Sequence, residues 1–120
     1  MTSILAVDDS PSMRQMVTYT LERAGYEVVI AKDGQEALQI AGTTNVNLVL
    51  TDVNMPIMDG ITLVKNLRLL HDYRYKPILI LTTESSNEKK MQGKEAGATG
   101  WIVKPFDPEK LLSTLRRVLD

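Results

Sequence analysis

Three aspartates and a lysine carry most of the chemistry this sequence can offer. Asp8 and Asp9 follow the apolar run Ile4 to Val7, Asp52 follows Leu48 to Thr51, and Lys104 follows Trp101 to Val103. A hydroxyl, Thr82, closes a further run, Ile78 to Leu81. Carboxylates brought together can hold a cation, or one of them can attack an electrophile. An ammonium beside them would neutralise the oxygens of a transferring phosphoryl group.

Asp8 and Asp9 could do no more than favour the positive end of the helix that comes next, an effect of about 0.3 to 1 kcal/mol. Ser10 and Pro11 already supply that start, however. A second run ending in Asp52 asks for another explanation. Two carboxylates ~4 Å apart repel by roughly 4 kcal/mol at an effective dielectric of ~20, a large share of a total stability of about 5 to 15 kcal/mol. A cation among them removes the conflict. The chain has no cysteine, and its only histidine, His71, falls in a connection, so the ligands are oxygens and the ion is hard. Magnesium fits best, because it accepts one or two carboxylates and keeps waters that a phosphoryl oxygen can replace. Alone, Lys104 reads as a surface residue with its stem along the core, and Thr82 as a β-branched strand residue. Their company gives each a role.

The elements that position these groups follow from periodicity. Short runs rich in β-branched residues begin near positions 4, 27, 48, 78 and 100, bounded by Gly, Pro, Asp or Asn, and read as buried strands. Helical patterns separate them. The first puts Met13, Met16, Val17, Thr20, Leu21 and Ala24 on one face, with Ser10 as cap, Pro11 as first residue and Gly25 as the left-handed stop. Asp33 with Glu36 announces a second helix through Ala37, Leu38 and Ala41, by the reciprocal capping arrangement. A third follows Asp59, with Ile61, Val64 and Leu67 inward. The fourth starts near Ser86 or Asn87 and ends before Gly97, and the fifth takes Asp107 as cap and Pro108 as first residue, burying Leu111, Leu112, Leu115 and Leu119. Five strand-helix units predict an α/β doubly wound parallel sheet, with a longer connection around His71 to Lys76. In such sheets ligands bind beyond the carboxyl ends of the strands, which is where the aspartates, Thr82 and Lys104 fall.

Composition narrows the alternatives. At 120 residues the chain is expected to form a single domain over 1–120, with 43% hydrophobic and 24% charged residues. No apolar stretch approaches the roughly 20 residues of a membrane span, and the start lacks the pattern of a secretory signal. The absence of cysteine fits a cytoplasmic location. Fourteen basic against fifteen acidic residues leave no positive field for nucleic acid.

The runs VDDSPSMR, TDVNMPIMDG, LTTES and GWIVKPF, in this order and each at a strand end, resemble the receiver domains of two-component signalling, above all the stand-alone chemotaxis regulators. The resemblance implies a flavodoxin-like fold with strand order 2-1-3-4-5. It implies that Asp52 accepts a phosphoryl group from a phosphohistidine of a sensor histidine kinase. Asp9, Asp52 and the backbone carbonyl of Asn54 would bind Mg²⁺, with Asp8 assisting through water. Lys104 would pair with the phosphoryl group, and Thr82 would turn its hydroxyl toward it. A cis peptide would join Lys104 to Pro105. The second switch residue would be Trp101, a departure from the Tyr or Phe usual there. Asn54 and Glu84 would tune dephosphorylation toward a short-lived signal.

By the same resemblance the signalling face is the fourth helix, fifth strand and fifth helix, including Lys89, Lys90, Lys94, Trp101, Lys104 and Lys110. On the residues alone each of these lysines is equally readable as part of a solvated helix face. As a surface they would suit an acidic peptide or helix of a downstream target, a flagellar motor switch protein among the candidates. Such a protein is a signalling switch that catalyses only its own phosphorylation and dephosphorylation. Two other readings stay open on the residues alone. A magnesium-dependent phosphohydrolase would need a separate general acid, and the nearest candidate, Asp59, reads as a helix cap. A degenerate receiver serving only as a docking module would have lost the acceptor, a ligand or the lysine, and all are present.

Overall fold

The computed structural model describes residues 1–120. Five parallel strands, β1 (Ser3–Val7), β2 (Glu27–Ala31), β3 (Leu48–Thr51), β4 (Ile78–Thr82) and β5 (Gly100–Val103), pair in the order β2-β1-β3-β4-β5. The helices between them are α1 (Pro11–Arg23), α2 (Gly34–Thr43), α3 (Gly60–Leu69), α4 (Asn87–Ala96) and α5 (Pro108–Leu119). A short 3-10 turn, His71–Tyr73, occupies the longer connection. This is the doubly wound, flavodoxin-like arrangement that the alternation and the resemblance implied.

The sheet separates two apolar layers because alternate strand residues point to opposite faces. Leu5 and Val7 of β1 join Ala37, Ala41, Ile61, Val64 and Leu67 on the α2–α3 side. Ile4 and Ala6 join Val17, Leu21, Leu111 and Leu115 on the α1–α5 side. The three central strands are buried almost throughout, whereas β2 and β5 are partly exposed. That corrects the expectation of five buried strands. Edge strands have a neighbour on one side only.

Each helix starts on the side-chain cap its sequence announced. Ser10, Asp33, Asp59, Ser86 and Asp107 accept hydrogen bonds from the backbone N–H of Met13, Glu36, Thr62, Lys89 and Glu109 respectively. Glu36 differs from the expected reciprocal geometry: its Oε1 accepts from the N–H of Lys32, 3.1 Å away, one residue before the cap. The buried face of α1 is also narrower than its pattern suggested, since Val17, Thr20 and Leu21 are buried while Met16 is 53% exposed and Ala24 is exposed. On α5, Leu111 and Leu115 are buried and Leu112 and Leu119 only partly so.

Candidate metal and phosphoryl site

The parallel strands end together, so the residues just beyond β1, β3, β4 and β5 share one edge. Asp8 and Asp52 are 6% and 8% exposed, Asp9 is exposed, and one carboxylate oxygen from each lies within 4.8 Å of the others. Two of the three acids are thus held in the interior wall, and the third faces solvent. This is an all-oxygen donor set of the kind a hard divalent ion accepts.

Local backbone chemistry orients each acid. Asp8 Oδ1 accepts from the N–H of Ser10 at 2.9 Å, and Asp52 Oδ1 accepts from the N–H of Val53 at 2.7 Å. The second oxygen of each is left to face the site. There Lys104 Nζ donates to Asp8 Oδ2 at 2.6 Å and to Asp52 Oδ2 at 3.1 Å. The pairing qualifies the argument from repulsion, because the fold already supplies one cation of its own. Three carboxylates against one ammonium still leave a net charge of −2, counted from Asp8, Asp9, Asp52 and Lys104. Burial acts most strongly on Lys104 and pulls its pKa down. The hydrogen bond to Asp8, the charges of Asp52 and Asp8 and the bond to Asp52 together outweigh it, and the net shift is upward. The ammonium is therefore charged at neutral pH.

Thr82 is fully buried, and its Oγ1 accepts from the N–H of Glu84 at 3.2 Å. Trp101 is half-buried, and its indole Nε1 donates to the Glu84 carbonyl at 3.0 Å. The Glu84 carboxylate accepts from the N–H of Ser86 at 3.2 Å. Asn54 is exposed in the loop after Asp52. The Lys104–Pro105 peptide is cis, as the resemblance implied.

His71 and Asp59 lie outside the acid cluster, in the connection and at the helix start where the sequence placed them, whereas Lys104 belongs to the cluster and not to the signalling face. His71 is exposed in the 3-10 turn. Asp59 is exposed and caps α3 through a 2.7 Å bond from the N–H of Thr62. Lys104 was expected on the signalling face, but its side chain is only 8% exposed and is held by Asp8 and Asp52, so it does not contribute to that surface. Lys90, Lys94 and Lys110 are exposed, and Lys89 is partly so.

Two site residues were missed from sequence. Arg14 donates from Nη1 to the Asp8 carbonyl at 2.7 Å and lines the small cleft beside Asp8 and Asp52. Gly60 lies against the acceptor's backbone, where an added Cβ would fall 1.9 Å from the Asp52 carbonyl oxygen. The Asp-Gly pair at 59 and 60 was a visible signal for the second, since Asp59 was already identified as a cap.

A small doubly wound domain with clustered acids and a buried lysine at the carboxyl edge of its sheet has a recognised counterpart. The chain belongs to the response regulator receiver domain family, which matches residues 4–116. It is 39% identical over 118 residues to chemotaxis protein CheY1 of Helicobacter pylori, covering 97% of this chain and 95% of that protein. It is 40% identical over 116 residues to the alkaline phosphatase synthesis transcriptional regulatory protein PhoP of Bacillus subtilis, covering 97% of this chain but 48% of that protein. The chain thus spans about half the length of several curated relatives it matches. Among solved structures, Vibrio cholerae chemotaxis protein CheY4 superimposes with a TM-score of 0.94 at 57% identity over 98% of each chain. No helix is long and apolar enough to cross a membrane.

Proposed function

We propose that this chain is a chemotaxis-type receiver unit, residues 1–120, that takes a phosphoryl group from a sensor-kinase phosphohistidine onto Asp52. The observation that carries the reading is the convergence of Asp8, Asp9 and Asp52 within 4.8 Å beside the Lys104 ammonium. The oxygen-only donors fit Mg²⁺, with Asp9, Asp52 and the Asn54 backbone carbonyl as ligands and Asp8 acting through water. When bound, the ion supplies positive charge to the phosphoryl oxygens.

In the transfer, Asp52 Oδ2 forms a bond to phosphorus as the phosphorus–nitrogen bond to the donor imidazole breaks. The imidazole leaves with the electron pair of that bond. Val53 N–H keeps hold of Oδ1 at 2.7 Å, so the attacking oxygen is already oriented before a donor arrives. Lys104 moves its charge from Asp52 to a phosphoryl oxygen, a short step from 3.1 Å. Thr82 turns so that its O–H donates to a phosphoryl oxygen, a rotation that takes Oγ1 away from the Glu84 N–H it accepts from. Hydrolysis of the acyl phosphate, tuned by Asn54 and Glu84, resets the protein, and no outside substrate is turned over.

The output face is α4, β5 and α5, where exposed Lys90, Lys94 and Lys110 and partly exposed Lys89 suit an acidic target such as a flagellar motor switch protein. Nucleic acid and membrane are not partners in this reading, and the site of action is the cytoplasm. Intact mass after exposure to Mg²⁺ and a small phosphodonor tests the proposal. One phosphoryl group on wild type and none on Asp52→Asn is the expected result. An unmodified wild type under those conditions overturns it.

A further inference from the structure

Within α4 only Gly93 is buried. A glycine in a helix interior is a poorer helix former than alanine, so its place on the inward face calls for a cause. The cause is next to it. An ideal Cβ at position 93 would fall 2.8 Å from Trp101 Cζ3, 3.1 Å from Trp101 Cε3 and 3.2 Å from Ile80 Cδ1. The first two atoms belong to the six-membered ring of the indole, so that ring occupies the notch that the missing side chain leaves.

The opposite side of the same indole is also tied. Nε1 donates to the Glu84 carbonyl at 3.0 Å, and the Glu84 N–H donates to Thr82 Oγ1 at 3.2 Å. Trp101 thus meets the β4–α4 loop through its polar edge and α4 through its apolar edge. Apart from Gly93, the apolar side chain of α4 that packs on the core is the partly buried Ala96, whereas Lys90, Met91, Lys94 and Glu95 are exposed.

We infer that Gly93 and Trp101 form a size-matched pair that keys α4 to the β4–α4 loop, with Gly93 as the positioning residue that lets the helix close over the indole. The inference rests on Thr82 being the group that senses the adduct on Asp52 and on Trp101 being its partner in the switch; what it adds is the glycine that seats the indole. When Thr82 gives up the Glu84 N–H, the Glu84 peptide is free to shift. The indole is bonded to that peptide's residue and seated in the notch, so a shift of the loop is passed to α4. A phenyl or phenol ring is shorter and would leave the notch empty, so the glycine belongs with the tryptophan.

Trp101 is the only tryptophan in the chain, so its fluorescence reports on the pair directly. Gly93→Ala should shift the emission to the red, raise acrylamide quenching and lower the melting temperature. In a Trp101→Leu background the same substitution should raise the melting temperature by roughly 4 °C, because alanine is the better helix residue once the ring is gone. Unchanged emission with a higher melting temperature for Gly93→Ala alone would overturn the inference. So would an equal loss in both backgrounds, which would place the effect outside the indole. Intact mass after Mg²⁺ and a small phosphodonor separates this claim from the functional one. A wild type that gains no phosphoryl group defeats the proposed function, and the melting and quenching results still decide the pair. If wild type and Gly93→Ala both gain it and show the same change in emission, the coupling is refuted and the proposed function stands.

Discussion

Lys104 Nζ lies 2.6 Å from Asp8 Oδ2, a bond that ties the carboxyl end of β5 to that of β1. The same nitrogen reaches Asp52 at 3.1 Å, so the ammonium is the internal counter-ion of two buried acids. Removing it leaves those carboxylates with no cation. Lys104→Met should therefore destabilise the protein in chelator by about 2 kcal/mol, and millimolar Mg²⁺ should recover most of the loss. The sign with pH comes from the raised pKa of Lys104, produced by the Asp8 and Asp52 interactions against the pull of burial. The pair's contribution is fully present below the ordinary lysine range and is lost only as pH rises through the raised value. Urea melts at pH 6, 7.5 and 9 should thus give the same difference between wild type and Lys104→Met.

Asp9 stands differently, because it is exposed and sits in the acid cluster without a bond to Lys104. In chelator it contributes chiefly repulsion. Asp9→Asn should then raise stability by about 1 kcal/mol, or several degrees in melting temperature. With Mg²⁺ present the advantage should vanish, as wild type gains ion-linked stability and the variant gains little. A variant that melts below wild type in chelator would mean that Asp9 is not crowded by its neighbours.

The strand-helix alternation was legible because both of its signals are local. Five side-chain caps fell where Ser10, Asp33, Asp59, Ser86 and Asp107 announced them. The strand order was not local, and it came from the family resemblance, since no single run states which neighbour it pairs with. Asp8, Asp9, Asp52, Thr82 and Lys104 were legible as a group because parallel strands bring their carboxyl-terminal residues to one edge. The residues that escaped notice depend on tertiary approach. No spacing in α1 singles out Arg14, whose guanidinium reaches the Asp8 carbonyl only in the folded chain. No pattern in α4 singles out Gly93, against which the indole of Trp101 rests.

Ile57 in the loop after Asp52 has φ 71°, the left-handed region, and is 76% exposed. A β-branched residue is poorly suited to that backbone, which crowds Cβ against the carbonyl oxygen at roughly 1 to 2 kcal/mol. Little packing is lost on replacing so exposed a side chain. Ile57→Asn or Ile57→Gly should therefore stabilise the protein by about 1 kcal/mol, read as a higher urea midpoint at unchanged slope. A lower midpoint for both would show that the apolar side chain contributes more than its exposure suggests.

At the opposite edge of the sheet from the acids, Arg68 holds connections together with no carboxylate partner. Its guanidinium donates to the carbonyls of Gly97 at 2.8 and 3.0 Å, Tyr73 at 2.8 Å and Lys76 at 2.6 Å. Burial lowers its pKa below the ordinary arginine value, yet an arginine remains protonated at neutral pH. The charge is accommodated by backbone oxygens that the fork satisfies from two sides at once. One side is the stop of α4, and the other is the turn that leads into β4. Arg68→Met would leave those oxygens short of donors and should cost about 2 to 3 kcal/mol in a urea titration. Arg68→Lys should recover less than half of that loss, because one ammonium lacks the planar fork that reaches both sides. If lysine restores wild-type stability, charge alone is what the position requires. If methionine is neutral, the connections hold without the fork.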